Sequence, residues 1–146
     1  MTGFLLDTNV VSEMVQRKPA PAVLEWMETA DEATLYLSVL TIGEIRRGTA
    51  ALPQSKRRTR LDAWLAADLR LRFAGRILPV DDAIADRWGY LLAQGQLRGR
   101  PAPVVDGLLA ATALEHDLTV VTRNVRDFSG FGVPVLNPWG RGGAAR

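Results

Sequence analysis

The chain has no cysteine, one histidine and only two lysines in 146 residues. Without cysteine there can be no disulfide, no thiolate metal site and no cysteine nucleophile, and a reducing cytoplasm is the expected compartment. No apolar run approaches the roughly 18 residues that a membrane span needs. Nor does the N-terminus carry a basic segment followed by a long apolar core, so a soluble, unexported protein with no membrane partner is expected. The patterns G-x-G-x-x-G and G-x-x-x-x-G-K are also missing, which removes dinucleotide-binding and P-loop readings. An excess of one charge is lacking too: 18 basic residues against 16 acidic ones leave +2.

Arginine, by contrast, is plentiful. It supplies sixteen of the 18 basic residues, in clusters at Arg46-Arg47, Lys56-Arg57-Arg58-Arg60, Arg70-Arg72-Arg76 and Arg98-Arg100. Its planar fork matches phosphate oxygens, so such patches suit a phosphate-rich partner, although each cluster alone is equally what a solvated helix face looks like.

Element types alternate along the chain, with no repeat, low-complexity tract or long linker. FLL at Phe4, LYLS at Leu35, RILPV at Arg76, LTVVT at Leu118 and VPVL at Val133 are short apolar runs that predict strands. Between them lie helical patterns: Leu61, Trp64, Leu65, Leu69 and Phe73 behind a cap at Ser55; Ile84, Trp88, Leu91 and Leu92 behind Asp81 or Asp82 and ending at Gly95; and a third from about Val105 to His116. His116 then stands where a helix C-terminal dipole partner would. Strands alternating with helices predict an α/β/α domain over residues 1–140, with a mostly parallel sheet of four to five strands covered on both faces, and a flexible tail over 141–146. Such sheets present their chemistry at the carboxyl ends of the strands.

Four segments deliver oxygen ligands to that edge. Asp7 leaves strand one in FLLDTN, where it also fits a helix cap. Thr41 and Glu44 have the T-x-x-E spacing of a capping box; a helix starting nearer Ser38 would instead put Glu44 in its second turn, facing the same edge. Asp106 opens the small-residue helix DGLLAATA after Pro101 and Pro103, and Gly107, Ala110, Ala111 and Ala113 would let that helix approach the sheet closely. Asn124 and Asp127 follow the next strand in VTRNVRDF, with Thr122 and Arg123 beside them. Carboxylates gathered at one edge repel and require a counter-charge. With His116 as the only nitrogen ligand and no thiolate, the donors would be oxygens, which select Mg²⁺ or Mn²⁺ over zinc. Oxygen-bound Mg²⁺ near arginines is equipment for phosphodiester hydrolysis.

LLDTNVVSE, S-x-L-T-x-G-E, VVDGLLAATA, VTRNVRDF and the closing VPVLNPW together resemble the PIN-domain family, and within it the VapC-type toxins of toxin–antitoxin pairs, FitB-like members included. The likeness runs from Phe4 to Trp139. It implies a Mg²⁺-dependent endoribonuclease, leaving a 5′-phosphate and a 3′-hydroxyl, dimeric, and held inactive by a small VapB-like antitoxin in a hetero-oligomer. By resemblance Asp7, Glu44 and Asp106 are metal ligands and catalytic residues, Asn124 is the fourth catalytic position, where the family often has aspartate, which leaves open whether Asp127 or a water completes the site, and Thr8, Asn9 and Ser38 are supporting polar positions. Arg46 and Arg123 are the arginines expected to hold RNA, and the segment from Leu52 to Phe73 is expected to dock the antitoxin. Two other readings remain at this point. Asp7-Thr8-Asn9 also resembles the nucleophile motif of haloacid-dehalogenase-like phosphatases, but that motif wants aspartate at Asn9 and a later lysine, and Lys18 and Lys56 are poorly placed. The other is a non-catalytic module whose acids cap helices and whose arginines bind nucleic acid or a partner.

Overall fold

The computed structural model describes residues 2–97, 99 and 103–140; the Arg98-Arg100 cluster and the 141–146 tail lie outside them. Five strands form one sheet: β1 (Gly3–Leu6), β2 (Leu35–Ser38), β3 (Ile77–Leu78), β4 (Leu118–Val121) and β5 (Val135–Leu136). Their spatial order is β3-β2-β1-β4-β5, and every neighbouring pair is parallel. The first strand is thus the central one. From it the chain steps outward to β2 and β3, then crosses to the other side for β4 and β5. That reversal makes the carboxyl end of β1 the topological switch point, where helices diverge and open a crevice.

The alternation of side chains fills both faces. Leu5, Leu118 and Val120 point into one core with Ile84, Leu91, Leu109, Ala110, Ala111 and Ala113, from helices α6 (Asp82–Leu97) and α7 (Val104–Glu115). Leu6, Leu35, Leu37 and Val121 point into the other with Val10, Val11, Val23, Met27 and Ile45, from α1 (Thr8–Ser12), α2 (Pro21–Thr29) and α3 (Val39–Ala50). Leu65, Leu69 and Phe73 complete it. They come from a helical stretch made of α4 (Lys56–Ala63), a π-helical turn (Trp64–Asp68) and α5 (Leu69–Arg72). A short α8 (Val125–Phe128) follows β4.

Several sequence expectations are sharpened. The predicted strand RILPV shrinks to Ile77–Leu78 and VPVL to Val135–Leu136, because Pro79 and Pro134 have no N–H to give to a ladder. Helix α6 runs through Gly95 to Leu97 instead of stopping there; a glycine inside a helix costs about 1 kcal/mol but does not break it. Its cap is Asp81, whose Oδ1 accepts from the Ile84 N–H at 3.0 Å. Gly107 brings α7 close to α6 rather than to the sheet, since a Cβ there would lie 3.1 Å from the Trp88 ring. At Gly3 a Cβ would lie 2.8 Å from Leu118 and 3.1 Å from the Thr34 carbonyl, so β1 fits between its neighbours only with glycine. Gly3→Ala should lower stability by about 1–3 kcal/mol, the usual cost of overpacking; an unchanged urea midpoint would contradict this.

Candidate active site

The register of β1 against β4 pairs Leu6 with Val121, which makes Asp7 and Thr122 the next neighbours beyond the strand ends. The Asp7 N–H continues the ladder to the Val121 carbonyl at 2.9 Å. Its side chain is held at both oxygens: Oδ1 accepts from the Thr8 N–H at 2.8 Å and Oδ2 from the Thr122 hydroxyl at 2.8 Å. Thr122, fully buried, also accepts from the Asn124 N–H at 3.0 Å. It therefore fixes Asp7 and the β4–α8 turn together. Sequence reading noted Thr122 only as company; the signal that finds it is the register itself. Asp7 turns out to cap α1 and to face the crevice, so the two roles weighed for it are compatible.

Glu44 is placed by the helix start. Ser38, fully buried, caps α3 by accepting from the Leu40 N–H at 3.0 Å, so Thr41 is not the cap and no capping box forms. The helix begins at Val39, Glu44 falls in its second turn, and a Glu44 carboxylate oxygen accepts from the Thr8 hydroxyl. Asn9 makes long contacts, its Nδ2 lying 3.5 Å from Asp7 and 3.4 Å from Thr122, while its Oδ1 accepts from the Arg123 N–H at 3.4 Å. Asp106 stands in the first turn of α7, half-buried.

The charges betray their proximity. The Asp106 carboxyl is pushed up to about 6, first by burial and then by the negative charges of Asp7, Asp127 and Glu44. Burial likewise raises Asp7, opposed by its hydrogen bonds from Thr122 and Thr8 and reinforced by Glu44 and Asp127. Four acids therefore share one field, and the fourth is Asp127. Asn124 is exposed and offers this cluster its backbone N–H, through Thr122.

An oxygen-only set containing a buried carboxylate and a second one whose ionised form is disfavoured by burial and by like charges fits a hard divalent cation in donor chemistry. Among the described residues, however, no three acidic side chains are arranged to hold a metal ion as they stand. The Asp106 shift has a consequence for stability. A carboxyl raised in the folded state contributes stability that is complete below its unfolded value of 3.8 and is lost as pH rises through about 6. Metal-free protein should therefore melt at a lower temperature at pH 7 than at pH 5, with a smaller drop in Asp106→Asn. Equal drops in the two proteins would remove Asp106 as the cause.

Residues 4–132 match the family model of the PIN domain. The chain is a PIN-domain protein. It is 40% identical over 135 residues to a VapC ribonuclease, Y4jK, of Sinorhizobium fredii, a match covering 92% of this chain and 96% of that one. Toxin FitB of Neisseria gonorrhoeae is 38% identical, with 92% and 97% covered. The crystal structure of FitAcB from Neisseria gonorrhoeae superposes with a TM-score of 0.90 at 37% identity, covering 94% of this chain and 99% of that one.

In this PIN domain the two arginines singled out from sequence each meet a partner within the protein. Arg46 lies two residues beyond Glu44, pointing away from it, and pairs with Asp62 of α4 at 2.9 Å. The Arg123 guanidinium lies over the Trp139 ring, 5.2 Å from its centre. His116 occupies the C-cap of α7, where its sequence position put it. No helix among the described residues is long and apolar enough to cross a membrane.

Proposed function

We propose that this PIN domain is the toxin of a toxin–antitoxin pair and acts in the cytoplasm as a metal-dependent endoribonuclease. The observation that carries this reading is the meeting of Asp7, Glu44, Asp106 and Asp127 at the carboxyl edge of β1, close enough to raise the pKa values of Asp7 and Asp106. The names VapC ribonuclease and Toxin FitB, borne by relatives about two-fifths identical over nine-tenths of the chain, supply the substrate class and the cellular role.

In this reading Asp7, Glu44 and Asp106 hold a Mg²⁺ or Mn²⁺ ion, with Asp127 completing the set. Bound there, the cation would lower the pKa of water and offset the charge that develops at phosphorus. Thr122 and the Thr8 N–H fix the orientation of Asp7; Thr8 does the same for Glu44 through its hydroxyl; Ser38 sets the start of the helix that carries Glu44. A VapB-like antitoxin would inhibit by covering this edge, in a hetero-oligomer built on a toxin homodimer.

The test is cleavage of a single-stranded RNA pool by purified protein with Mg²⁺, Mn²⁺ or EDTA. Cleavage abolished by EDTA and restored by either ion is expected. RNA that is bound but never cut under any of these conditions would sink the enzymatic reading in favour of a binding module. Co-expression with the product of the adjacent short gene should yield a stable, inactive complex.

A further inference from the structure

A trough leads away from the carboxylates between α1 and the α3–α4 hairpin. Its inner part, about 290 Å³, is walled by Thr8 and Glu44 at one end and by Arg57, Leu61 and Trp64 at the other. Its outer part, about 320 Å³, shares Val15, Arg57, Leu61 and Trp64 and continues to Arg17 and Arg60. The two form one path from the acidic cluster to three arginines.

Like Arg47, Arg70, Arg123 and Arg126, those arginines have no ion pair among the described residues, and they are the unpaired ones that line the trough. Arg46 and Arg58 share one carboxylate, Asp62, Arg72 and Arg76 share Glu32, and Arg87 pairs with Glu115. Among the described residues no carboxylate lies within ion-pair distance of Arg17, Arg57 or Arg60, and none of the three donates a side-chain hydrogen bond to the protein. Three unspent guanidinium groups beside one another cost the fold repulsion and return nothing to it. The helix also changes winding here, since the π-helical turn begins at Trp64, on the trough wall; such turns are frequent at functional sites.

We propose that Arg17, Arg57 and Arg60 are the phosphate track for the RNA strand, holding the nucleotides that flank the one at the carboxylates, with Trp64 as the wall against which the chain lies. This inference rests on the ribonuclease reading above. A strand whose scissile phosphate sits at the acidic cluster must pass its next phosphates along some path out, and this trough is one that leaves Glu44 and meets unpaired cations. Charge favours RNA over a protein segment: a nucleic acid repeats its negative charge at every residue, which suits a row of guanidinium groups, and Arg forks match phosphate geometry.

The experiment uses full-length protein carrying R57Q and R60Q together, and separately R17Q. Binding is read by fluorescence anisotropy with a labelled single-stranded RNA in the Asp7→Asn background, so that nothing is cut; cleavage is read with the arginine variants in otherwise unaltered protein. The double variant should bind RNA at least about tenfold more weakly, and the slope of log affinity against log salt should fall by about 0.7 for each arginine that no longer meets a phosphate. In cleavage, the loss should lie mainly in KM for long RNA and nearly vanish for a dinucleotide substrate that reaches only the carboxylates. Circular dichroism and Mn²⁺ titration check that fold and acidic site are intact. Unchanged RNA affinity and salt slope in the double variant would overturn the proposal, while the parent's cleavage would leave the ribonuclease reading standing. Conversely, a parent that binds RNA through these arginines but never cuts it would sink the ribonuclease reading and keep the track. Variants that retain RNA but lose the adjacent gene's product would show that the trough is a protein dock, and would overturn the track as well.

Discussion

Asp7→Asn is expected to lower RNA cleavage by about 10³-fold or more, the scale of losing charge stabilisation worth several kcal/mol at the transition state, without loss of fold. Structure explains why both halves should hold. The Asn side-chain oxygen can still accept from the Thr8 N–H, preserving the cap on α1. Its amide can face the Thr122 hydroxyl, which can accept where it formerly donated. What disappears is a buried negative charge that burial, Glu44 and Asp127 all disfavour. Because Asp7 is raised in the folded state, its ionised form is disfavoured there and its contribution falls as pH rises, so metal-free mutant should melt at or above the temperature of the parent at pH 7. Mg²⁺ should raise the parent's melting temperature by mass action and the mutant's far less. A differential scan with and without Mg²⁺, beside a cleavage assay, reads all of this. Parental cleavage by Asp7→Asn would show that the carboxylate cluster is not the catalytic site.

Why Asp7 could be found in the sequence at all, and Thr122 could not, comes down to what local pattern encodes. The strand LL followed at once by a carboxylate is a one-dimensional signal, and strand-helix alternation is enough to place it at a sheet's carboxyl edge. Thr122 matters only because β4 lies beside β1 in a particular register, a fact of pairing between residues more than a hundred positions apart. Glu44 sits between these cases. Both Thr41 and Ser38 are acceptable caps, and the choice falls to Ser38, fully buried at the end of β2 with its hydroxyl on the Leu40 N–H. The same limit applies to the arginines. Sequence shows where they are, but not that Arg46 pairs with Asp62, sixteen residues on, while Arg57 and Arg60 have no carboxylate within ion-pair distance among the described residues. The short helix α2, opened by Pro21 at its first turn, carries too brief a pattern to be legible in the sequence, with only Val23 and Met27 buried.

Asp127→Asn is expected to be nearly as damaging as Asp7→Asn, and the comparison with Asn124 decides which residue completes the proposed metal set. Sequence resemblance put Asn124 at the fourth position, and on that basis a carboxylate introduced there should tighten a second metal site. The folded chain shifts the weight. Both residues are exposed, but Asp127 adds its charge to the burial that raises Asp7 and Asp106, whereas Asn124 reaches the cluster through its backbone N–H on Thr122. Asn124 caps α8 and Asp127 lies one turn on, its N–H on the Asn124 carbonyl at 3.0 Å, so spacing does not separate the two and the charge that Asp127 adds to the cluster does. Asp127→Asn should therefore weaken Mn²⁺ binding in calorimetric titration and cut cleavage by about 10²-fold or more, as loss of a ligand or its hydrogen-bonded support does. Asn124→Ala should leave both nearly unchanged, since the backbone N–H survives the substitution. The sharpest case is the exchange of the two, Asn124→Asp with Asp127→Asn, which keeps net charge and moves the carboxylate. If Asp127 is the fourth acid, the exchanged protein stays as impaired as Asp127→Asn alone. Recovery of the Mn²⁺ isotherm and of cleavage would place Asn124 at the metal instead, and would return the fourth position to where resemblance put it.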